Sequence, residues 1–431
     1  MMRYCAFALA LSSAVGGCVV QHKQIDPTNE LTEVKVKPGI TVLLGDSINL
    51  IRNKRIALLT NQTGINEKGV SDIDLLVGGK AKAAGVVLVR LFSPEHGIRG
   101  TEDHAHIANS TDQGTGLPVI SLYTNQTVPP PDSLLTDVDA LVFDLQDIGT
   151  RTWTYVGELI YSMRAAARTH RQFIVLDRPN PITGYYVEGP LLDSALANAD
   201  DPAPGKPGKA FALYPMPLRH GMTMGELAQF YNEMLGIHAN LKVVPLAGWR
   251  RDVWFDLTGL PWVKPSPNIA DLHSALLYPA LVAFEATNIS VGRGTDSPFQ
   301  RIGAPWLKVD RVLSLLKDRQ LTGVRFRSES FTPENPTDGK YGSKLIPGIR
   351  ITVIDRSSVQ VARVGATLLW AINKTSPSDL KIQASRFDLL FGSPTDREAL
   401  LRGDDPDAVI DKDYKAVYDF RAIAKQFLIY K

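Results

Sequence analysis

Residues 85–97 read GVVLVRLFSPEHG, an apolar and β-branched run that ends at a proline. Continuous apolar runs of this kind are typical of strands that are buried on both faces, as in parallel sheets. Pro94 ends the run, because proline has no backbone N–H to donate to a sheet. A carboxylate and an imidazole, Glu95 and His96, follow directly. A charged pair at the tip of a buried strand is unusual, and other strand ends of this chain carry polar groups too.

Similar apolar runs alternate with helical segments along the first 250 residues. Strands are predicted over 55–61, 117–123, 139–149, 171–181 and 241–246. Helices are predicted around 71–84, over 153–169 and over 223–236. Such alternation predicts an α/β fold with a mostly parallel sheet. The segment 193–210, rich in Ala, Asp, Pro and Gly, is predicted to be a surface loop, and the proline turns and mixed elements after about Pro261 predict a smaller α+β domain.

Composition limits the classes of function. The 431 residues are 44% hydrophobic and 21% charged, which is ordinary for a globular protein long enough for two domains. The 47 basic and 45 acidic residues nearly cancel, so no nucleic-acid partner is expected. No G-x-G-x-x-G follows the first strand and no P-loop occurs, so no nucleotide cofactor is predicted.

The first 18 residues, MMRYCAFALALSSAVGGC, combine a basic residue, an apolar run and small residues before a cysteine. This pattern predicts a secretory signal that is too short to span a membrane. VGGC at 15–18 resembles a bacterial lipobox, so Cys18 is expected to carry the lipid, with residues 19–37 as a polar tether. By resemblance to proteobacterial lipoproteins, Val19 in place of aspartate favours the outer membrane, facing the periplasm. Cys5 and Cys18 are the two cysteines of the chain, so the folded body has no disulfide.

Polar residues collect at the predicted carboxyl ends of four strands. In open α/β sheets ligands bind beyond these ends, so the residues there are expected to converge in one crevice. They are Asn61, Glu95, His96, Asp144, Asp147, Arg151, Arg178 and Asn180.

Nine stretches together resemble one family of bacterial glycoside hydrolases, the NamZ-type exo-β-N-acetylmuramidases. They are LLTNQTG, LFSPEHGIRG, TGLPVISLY, LVFDLQDIGTRTWTY, LDRPNPITG, RHGMTMGELA, PSPNI, LYPALVAFEATNISVGRGTDSPFQRIGAPW and IDRSSV. The resemblance implies a Rossmann-like catalytic domain over 38–260, a C-terminal α+β domain over 261–431, and an active-site cleft between them. It also implies release of terminal N-acetylmuramic acid from peptidoglycan muropeptides or disaccharides. The run TEDHAHIANSTDQGTG at 101–116 departs from the family pattern.

Glycoside hydrolysis uses an acid that protonates the leaving oxygen and a second carboxylate as base or nucleophile. By resemblance Glu95 is the candidate acid, with His96 beside it. Asp144, Asp147 and Glu285 are alternatives for the second carboxylate. In a further alternative the 2-acetamido group of the substrate takes part, and then only a stabilising carboxylate is needed.

The candidate substrate-binding residues follow from the chemistry of the substrate. Its lactyl carboxylate suits a guanidinium, and aromatic rings can stack on a sugar. The guanidinium candidates are Arg151, Arg178 and Arg293. The aromatic candidates are Trp153, Tyr155 and Trp306, and the amide candidates are Asn61, Asn180 and Asn288.

Three alternative functions remain open on the sequence. Glu95, His96, Asp103, His104 and His106 lie within twelve residues and could suggest a zinc hydrolase, but no H-E-x-x-H spacing occurs and no metal is predicted. A non-catalytic lipoprotein that binds cell wall, or an endo-acting muramidase, would have a similar sequence.

Overall fold

The apolar runs form one seven-stranded sheet in the computed structural model, which describes residues 33–100, 107–124 and 126–431. The strands of the described chain are β1 Arg55–Thr60, β2 Val87–Ser93, β3 Ser110–Thr111, β4 Pro118–Ser121, β5 Ala140–Asp144, β6 Gln172–Leu176, β7 Glu188–Leu191, β8 Pro217–Arg219, β9 Asn240–Val244, β10 Arg301–Gly303, β11 Val324–Phe331 and β12 Ile346–Val353. The large sheet has the order β3-β4-β2-β1-β5-β6-β9, and all of its neighbours run parallel except β3 and β4. The prediction of a mostly parallel sheet is confirmed.

Helices cover the sheet and build the C-terminal part. They are α1 Gly39–Leu43, α2 Asp72–Val77, α3 Gly79–Ala83, α4 Tyr155–Arg168, α5 Met224–Met234, α6 Leu272–Leu281, α7 Val309–Asp318, α8 Val361–Thr375, α9 Ala384–Phe391, α10 Pro394–Arg402, α11 Pro406–Asp411 and α12 Tyr414–Ala424. Short 3-10 turns lie at Ile48–Leu50, Asp132–Leu135, Phe255–Leu257, Val282–Ala286 and Lys425–Phe427. None of the helices in the described ranges is long and apolar enough to cross a bilayer.

Two predicted elements differ from the structure. The helix expected around 71–84 is split into α2 and α3, because Gly78 is extended and Gly79 has a φ of 48°. The strand expected over 139–149 leaves the sheet after Asp144. The capped helix at 223–236 is confirmed: Thr223 and Glu226 form the reciprocal capping box at the start of α5.

The C-terminal part has its own small antiparallel sheet, of order β10-β12-β11, with α6, α7 and α8 in contact with one another or with it. A continuous apolar core joins Phe143 and Phe173 of the large sheet to Leu277, Ile349 and Leu369 of this part. Residues 33–431 form one compact unit. The predicted boundary between residues 260 and 261 stays a prediction.

The sheet order determines where a site can form. β1 lies between β2 and β5, so the direction of strand addition reverses between β1 and β5. A crevice opens at the carboxyl ends of the strands at such a reversal. Glu95 follows β2 and Thr154 precedes α4, which follows β5, so both lie at this edge.

Candidate active site

The turn after β2 carries Glu95 and His96 to the wall of a cavity of about 410 Å³. The carbonyl of Pro94 accepts a hydrogen bond from the backbone N–H of Gly97 (3.1 Å), which closes the turn. His96 has a φ of 72°, a left-handed conformation that costs a non-glycine residue about 1 kcal/mol or more. Surrounding contacts must hold such a residue, and residues of this kind concentrate at functional sites. Glu95 and His96 therefore lie in a constrained turn and line the cavity.

Segments far apart in the chain build this cavity. The large sheet contributes the turns after β2 and before α4, and the C-terminal part contributes α9 and the region around the 3-10 turn Val282–Ala286. The polar and aromatic residues of the wall are Glu95, His96, Tyr123, Gln126, Thr152, Trp153, Thr154, Lys209, Phe211, Ser266, Asn268, Tyr278, Glu285, Arg293, Phe299 and Arg386.

The Glu95 carboxylate is oriented by the residue that begins α4. The hydroxyl of Thr154 donates a hydrogen bond to Oε2 of Glu95 (2.7 Å). Below it, the hydroxyl of Tyr155 donates to the carbonyl of Pro265 (2.9 Å) and accepts from the side-chain amide of Asn61 (2.8 Å). Asn61 and Tyr155 are buried, so the structure places both of these predicted substrate ligands behind the cavity wall. There they support the turn that carries Glu95.

A second carboxyl group lies one helical turn after Thr154. Glu158 is 1% exposed, and within the described residues neither of its oxygens has a hydrogen-bond partner of good geometry. Burial, and then the negative charge of Glu95, raises the pKa of Glu158 well above its usual value. Burial and the nearby Glu95 charge thus both favour the protonated form of Glu158, which carries no charge.

Glu285 faces the same cavity from the C-terminal part. Its Oε1 is bound by both Nη2 (2.6 Å) and Nε (2.7 Å) of Arg293. The ammonium group of Lys340 donates to three backbone carbonyls, including that of Glu285 (3.1 Å), and so holds this segment in place. The pKa of Tyr278 is raised by burial, then by the charge of Glu285 and, more weakly, by that of Glu95. Tyr278 therefore lies close enough to sense both carboxylates.

Asp144 and Arg178 lie away from the cavity and bind each other. Nε and Nη2 of Arg178 donate to the two carboxylate oxygens of Asp144 at 2.5 and 3.0 Å. Both side chains are buried. Asp72 lies beside them, and burial raises the pKa of both aspartates. Neither Asp144 nor Arg178 lines the cavity that contains Glu95, and each is the other's ion-pair partner.

Asp147 and Asn180 terminate turns below the cavity. Oδ2 of Asp147 accepts a hydrogen bond from the backbone N–H of Gly149 (2.6 Å). The side chain of Asn180 donates to the carbonyl of Met222 (3.0 Å) and accepts from the N–H of Ile182 (3.1 Å). Both residues are buried, and neither lines the cavity.

Two further candidates also have internal partners. The guanidinium of Arg151 donates to the carbonyls of Leu389, Leu390 and Phe391 at the end of α9, at 2.9 to 3.3 Å. Asn288 bridges to backbone groups of Asp379 and Lys381. Neither side chain lines the cavity, so both support the fold around it.

The aromatic candidates divide between the cavity and its surroundings. Trp153 lines the cavity but is 5% exposed, and it packs edge-on against Tyr155 and Tyr278. Trp306 lies outside the cavity wall.

The predicted site residues are thus brought together in part: Glu95, His96, Glu285 and Arg293 share one cavity. For the metal alternative, Asp103, His104 and His106 lie outside the described residues. Among the residues that the structure does describe, no group of three or more His, Cys, Asp or Glu side chains is arranged to hold a metal ion.

Two protein-family models match the chain in succession. The model described as "Exo-beta-N-acetylmuramidase NamZ, N-terminal" matches residues 56–273, and its C-terminal counterpart matches residues 276–430. The chain belongs to the NamZ family. The cavity takes Glu95 from the first NamZ region and Glu285, Arg293 and Arg386 from the second, so neither region alone contains it.

Similar proteins span almost the same length. A curated relative from Bacillus subtilis (strain 168), named peptidoglycan β-N-acetylmuramidase NamZ, is 38% identical over 398 residues, which is 92% of each chain. Two solved structures of DUF1343 family proteins from Bacteroides fragilis NCTC 9343 have the same fold as this NamZ-family chain. Their TM-scores are 0.79 and 0.72 at 32% and 27% identity, and each match covers 92% of this chain and 99% of the other.

Several residues of this site were missed by sequence reasoning. Thr154 and Glu158 flank the start of a helix that was predicted, so their spacing of four, which places both on one helix face, was an available signal. Asn268 lies in the quoted PSPNI motif. Lys209 lies at the end of a segment interpreted as a surface loop, and nothing in the sequence near Arg386 marked it.

Proposed function

We propose that this chain is an exo-acting glycoside hydrolase that releases terminal N-acetylmuramic acid from the non-reducing end of peptidoglycan fragments. The observation that carries the proposal is that Glu95 and Glu285 line one cavity in a chain of the NamZ family. Its volume of about 410 Å³ lies in the range of about 300–1,000 Å³ common for small-molecule sites. The curated relative is named a peptidoglycan β-N-acetylmuramidase.

Glu95 is the proposed general acid. In its protonated form it gives a proton to the glycosidic oxygen as the bond between that oxygen and the anomeric carbon breaks. The hydroxyl of Thr154 orients the carboxyl group through Oε2. Charge that develops on the sugar ring needs an anion nearby, and Glu285 supplies a candidate.

Glu285 is the proposed second carboxylate. Both contacts from Arg293 fall on Oε1, and Oε2 makes no hydrogen bond to another described residue. That oxygen is available to a water molecule or to the anomeric carbon. In the alternative route the acetamido group of the substrate attacks the anomeric carbon, and Glu285 then stabilises the positive charge.

The first test is turnover of a chromogenic N-acetylmuramide by purified protein and by its Glu95→Gln variant. We expect the substitution to lower kcat roughly 100-fold to 10,000-fold, because glutamine cannot donate the proton. Glu398→Gln, at a half-exposed surface position on α10, is the matched control and should leave kcat unchanged. If Glu95→Gln retained more than a tenth of the activity, Glu95 would not be the acid. If the parent protein bound the substrate without releasing the chromophore, a non-catalytic binder would be favoured.

We also propose that Cys18 carries a lipid that anchors the protein to the outer membrane, facing the periplasm. Support comes from the apolar run and the VGGC stretch at 15–18. Expressed from its full sequence in a bacterial host, the protein should partition into detergent, and Cys18→Ser should not. Recovery of both proteins in the aqueous phase would contradict the anchor.

A further inference from the structure

All three guanidinium groups expected to bind the substrate carboxylate are already bound within the protein. Arg178 is held by Asp144, Arg151 by the carbonyls at the end of α9, and Arg293 by Glu285. A guanidinium used in this way has few donors left for a ligand. A cation of the cavity wall with no internal partner has more donors to offer an anionic sugar.

Two other cations line the cavity. Lys209 and Arg386 are both exposed to it, and neither side chain forms a hydrogen bond or an ion pair with any residue that the structure describes. The other described cationic side chain of the wall, Arg293, is paired with Glu285.

The backbone beneath each of these cations is fixed. Arg386 lies in the first turn of α9, and the buried guanidinium of Arg151 holds the carbonyls at the other end of that helix. A cation at a helix C-terminus is electrostatically favourable, so this contact secures the helix to the large sheet. The carbonyl of Lys209 accepts a hydrogen bond from the hydroxyl of Tyr161 on α4 (2.7 Å). Both cations therefore extend from anchored backbone towards the same space.

We propose that Arg386 and Lys209 form the anion subsite that takes the carboxylate of the substrate and makes the enzyme prefer a carboxylate-bearing amino sugar over its neutral analogue. Arg151 is a positioning residue for this subsite, because it holds the helix that carries Arg386. The inference rests on the proposed function, since it concerns the same cavity. An arginine and a lysine together suit a carboxylate, because the guanidinium offers two parallel donors and the ammonium a point charge.

The test compares two chromogenic substrates of the same shape: an N-acetylmuramide with a free lactyl carboxylate, and its lactyl methyl ester, which has no charge. For the charged substrate we expect Arg386→Ala to raise KM about tenfold, and Arg386→Ala with Lys209→Ala to raise it up to about 100-fold, with kcat changed much less. For the methyl ester both variants should match the parent protein within about twofold. Added salt should raise KM for the charged substrate in the parent protein and not in the double variant.

Matched controls come from the same loop and the same part of the fold. One control is Lys206→Ala, because Lys206 lies three residues before Lys209 and outside the cavity wall. The other is Arg421→Ala, which removes an exposed arginine on α12. Both should leave KM for either substrate unchanged. Arg386→Lys should restore part of the preference, because the charge remains and the paired donors are lost.

Failure of the subsite and failure of the proposed function give different results. A double variant that hydrolyses the charged substrate with the KM of the parent protein would overturn the subsite and leave the function intact. If the parent protein hydrolyses neither substrate, the proposed function fails. Calorimetric binding of free N-acetylmuramic acid against N-acetylglucosamine then tests the subsite alone, and an equal preference in parent and double variant would overturn it.

Discussion

Glu95 and Asp144 are both carboxylates at the edge of the sheet, and their surroundings separate their roles. Glu95 lines the cavity and is held by one hydroxyl hydrogen bond, whereas both oxygens of Asp144 are bound by the buried guanidinium of Arg178. Breaking a buried ion pair by removing one charge leaves the other charge in a medium of low dielectric. We therefore expect Asp144 to contribute to stability, whereas Glu95 remains the proposed acid.

Asp144→Asn is expected to lower the free energy of unfolding by about 3–5 kcal/mol while turnover of a chromogenic N-acetylmuramide stays within a few-fold of the parent rate. Urea denaturation measures the first quantity and steady-state kinetics the second. Asp137→Asn is the control. Asp137 pairs with Arg90 but is well exposed, so loss of this ion pair should lower the free energy of unfolding by less than about 1 kcal/mol. If folded Asp144→Asn instead turned over the substrate at least about 100-fold more slowly, Asp144 would have a catalytic role.

At the scale of single elements, caps determine where the helices begin. α5 starts at Thr223 because its hydroxyl accepts a hydrogen bond from the N–H of Glu226 (3.3 Å). The same hydroxyl donates to Asp177 at the end of β6 (2.7 Å), so one side chain both caps the helix and joins it to the sheet. The Thr-x-x-Glu pattern predicts the cap, and the bond to Asp177 comes only from packing.

Thr223→Ala should lower the free energy of unfolding by about 1–2 kcal/mol, because the cap and the bond to the sheet are lost together. Thr223→Ser keeps the hydroxyl and should recover most of that loss. Thermal or urea unfolding of the three proteins measures both differences. Equal stabilities of the alanine and serine variants would show that the hydroxyl has no role in capping.

At the scale of the whole molecule, the C-terminal residues close onto the large sheet. The hydroxyl of Tyr430 donates to Oδ2 of Asp177 (2.6 Å), and the carbonyl of Lys431 accepts from the N–H of Arg251 (3.0 Å). Burial raises the pKa of Asp177 to about 7, although hydrogen bonds from Tyr430, Gly225 and Thr223 favour its charged form. The protonation of Asp177, which joins the chain end to the sheet, therefore changes near pH 7.

A carboxyl whose pKa is higher in the folded state binds a proton more tightly there than in the unfolded chain. Its contribution to stability is full below about pH 4 and is lost as pH rises through about 7. At about 1.4 kcal/mol per pKa unit, this amounts to roughly 4 kcal/mol between those limits. Urea unfolding of the parent protein and of Asp177→Asn should be measured at several pH values. The free energy of unfolding should show this additional decrease with rising pH in the parent protein alone. Parallel curves would mean that Asp177 does not titrate in this range.

Local patterns in the sequence were enough to predict the parallel sheet and the start of α5. Apolar runs, the proline after β2 and the Thr-x-x-Glu cap are properties of neighbouring residues, so the parallel sheet, the turn at Glu95 and the start of α5 could be predicted. Gly78 and Gly79 separate α2 from α3, a break that the helical pattern around 71–84 does not predict. Resemblance of the motifs to the NamZ family gave the activity.

What only the tertiary structure decided is which polar side chains meet. Asp144 and Arg178 are 34 residues apart and bind each other, and Arg151 binds carbonyls more than 230 residues further along the chain. Arg386 reaches the cavity that begins at Glu95 from near the other end of the sequence. Whether a charged group faces a cavity or an internal partner depends on contacts between distant segments, and periodicity describes only near neighbours. The sequence therefore predicts that the site lies at the strand ends. It does not predict which of the polar residues there line the cavity and which support the fold.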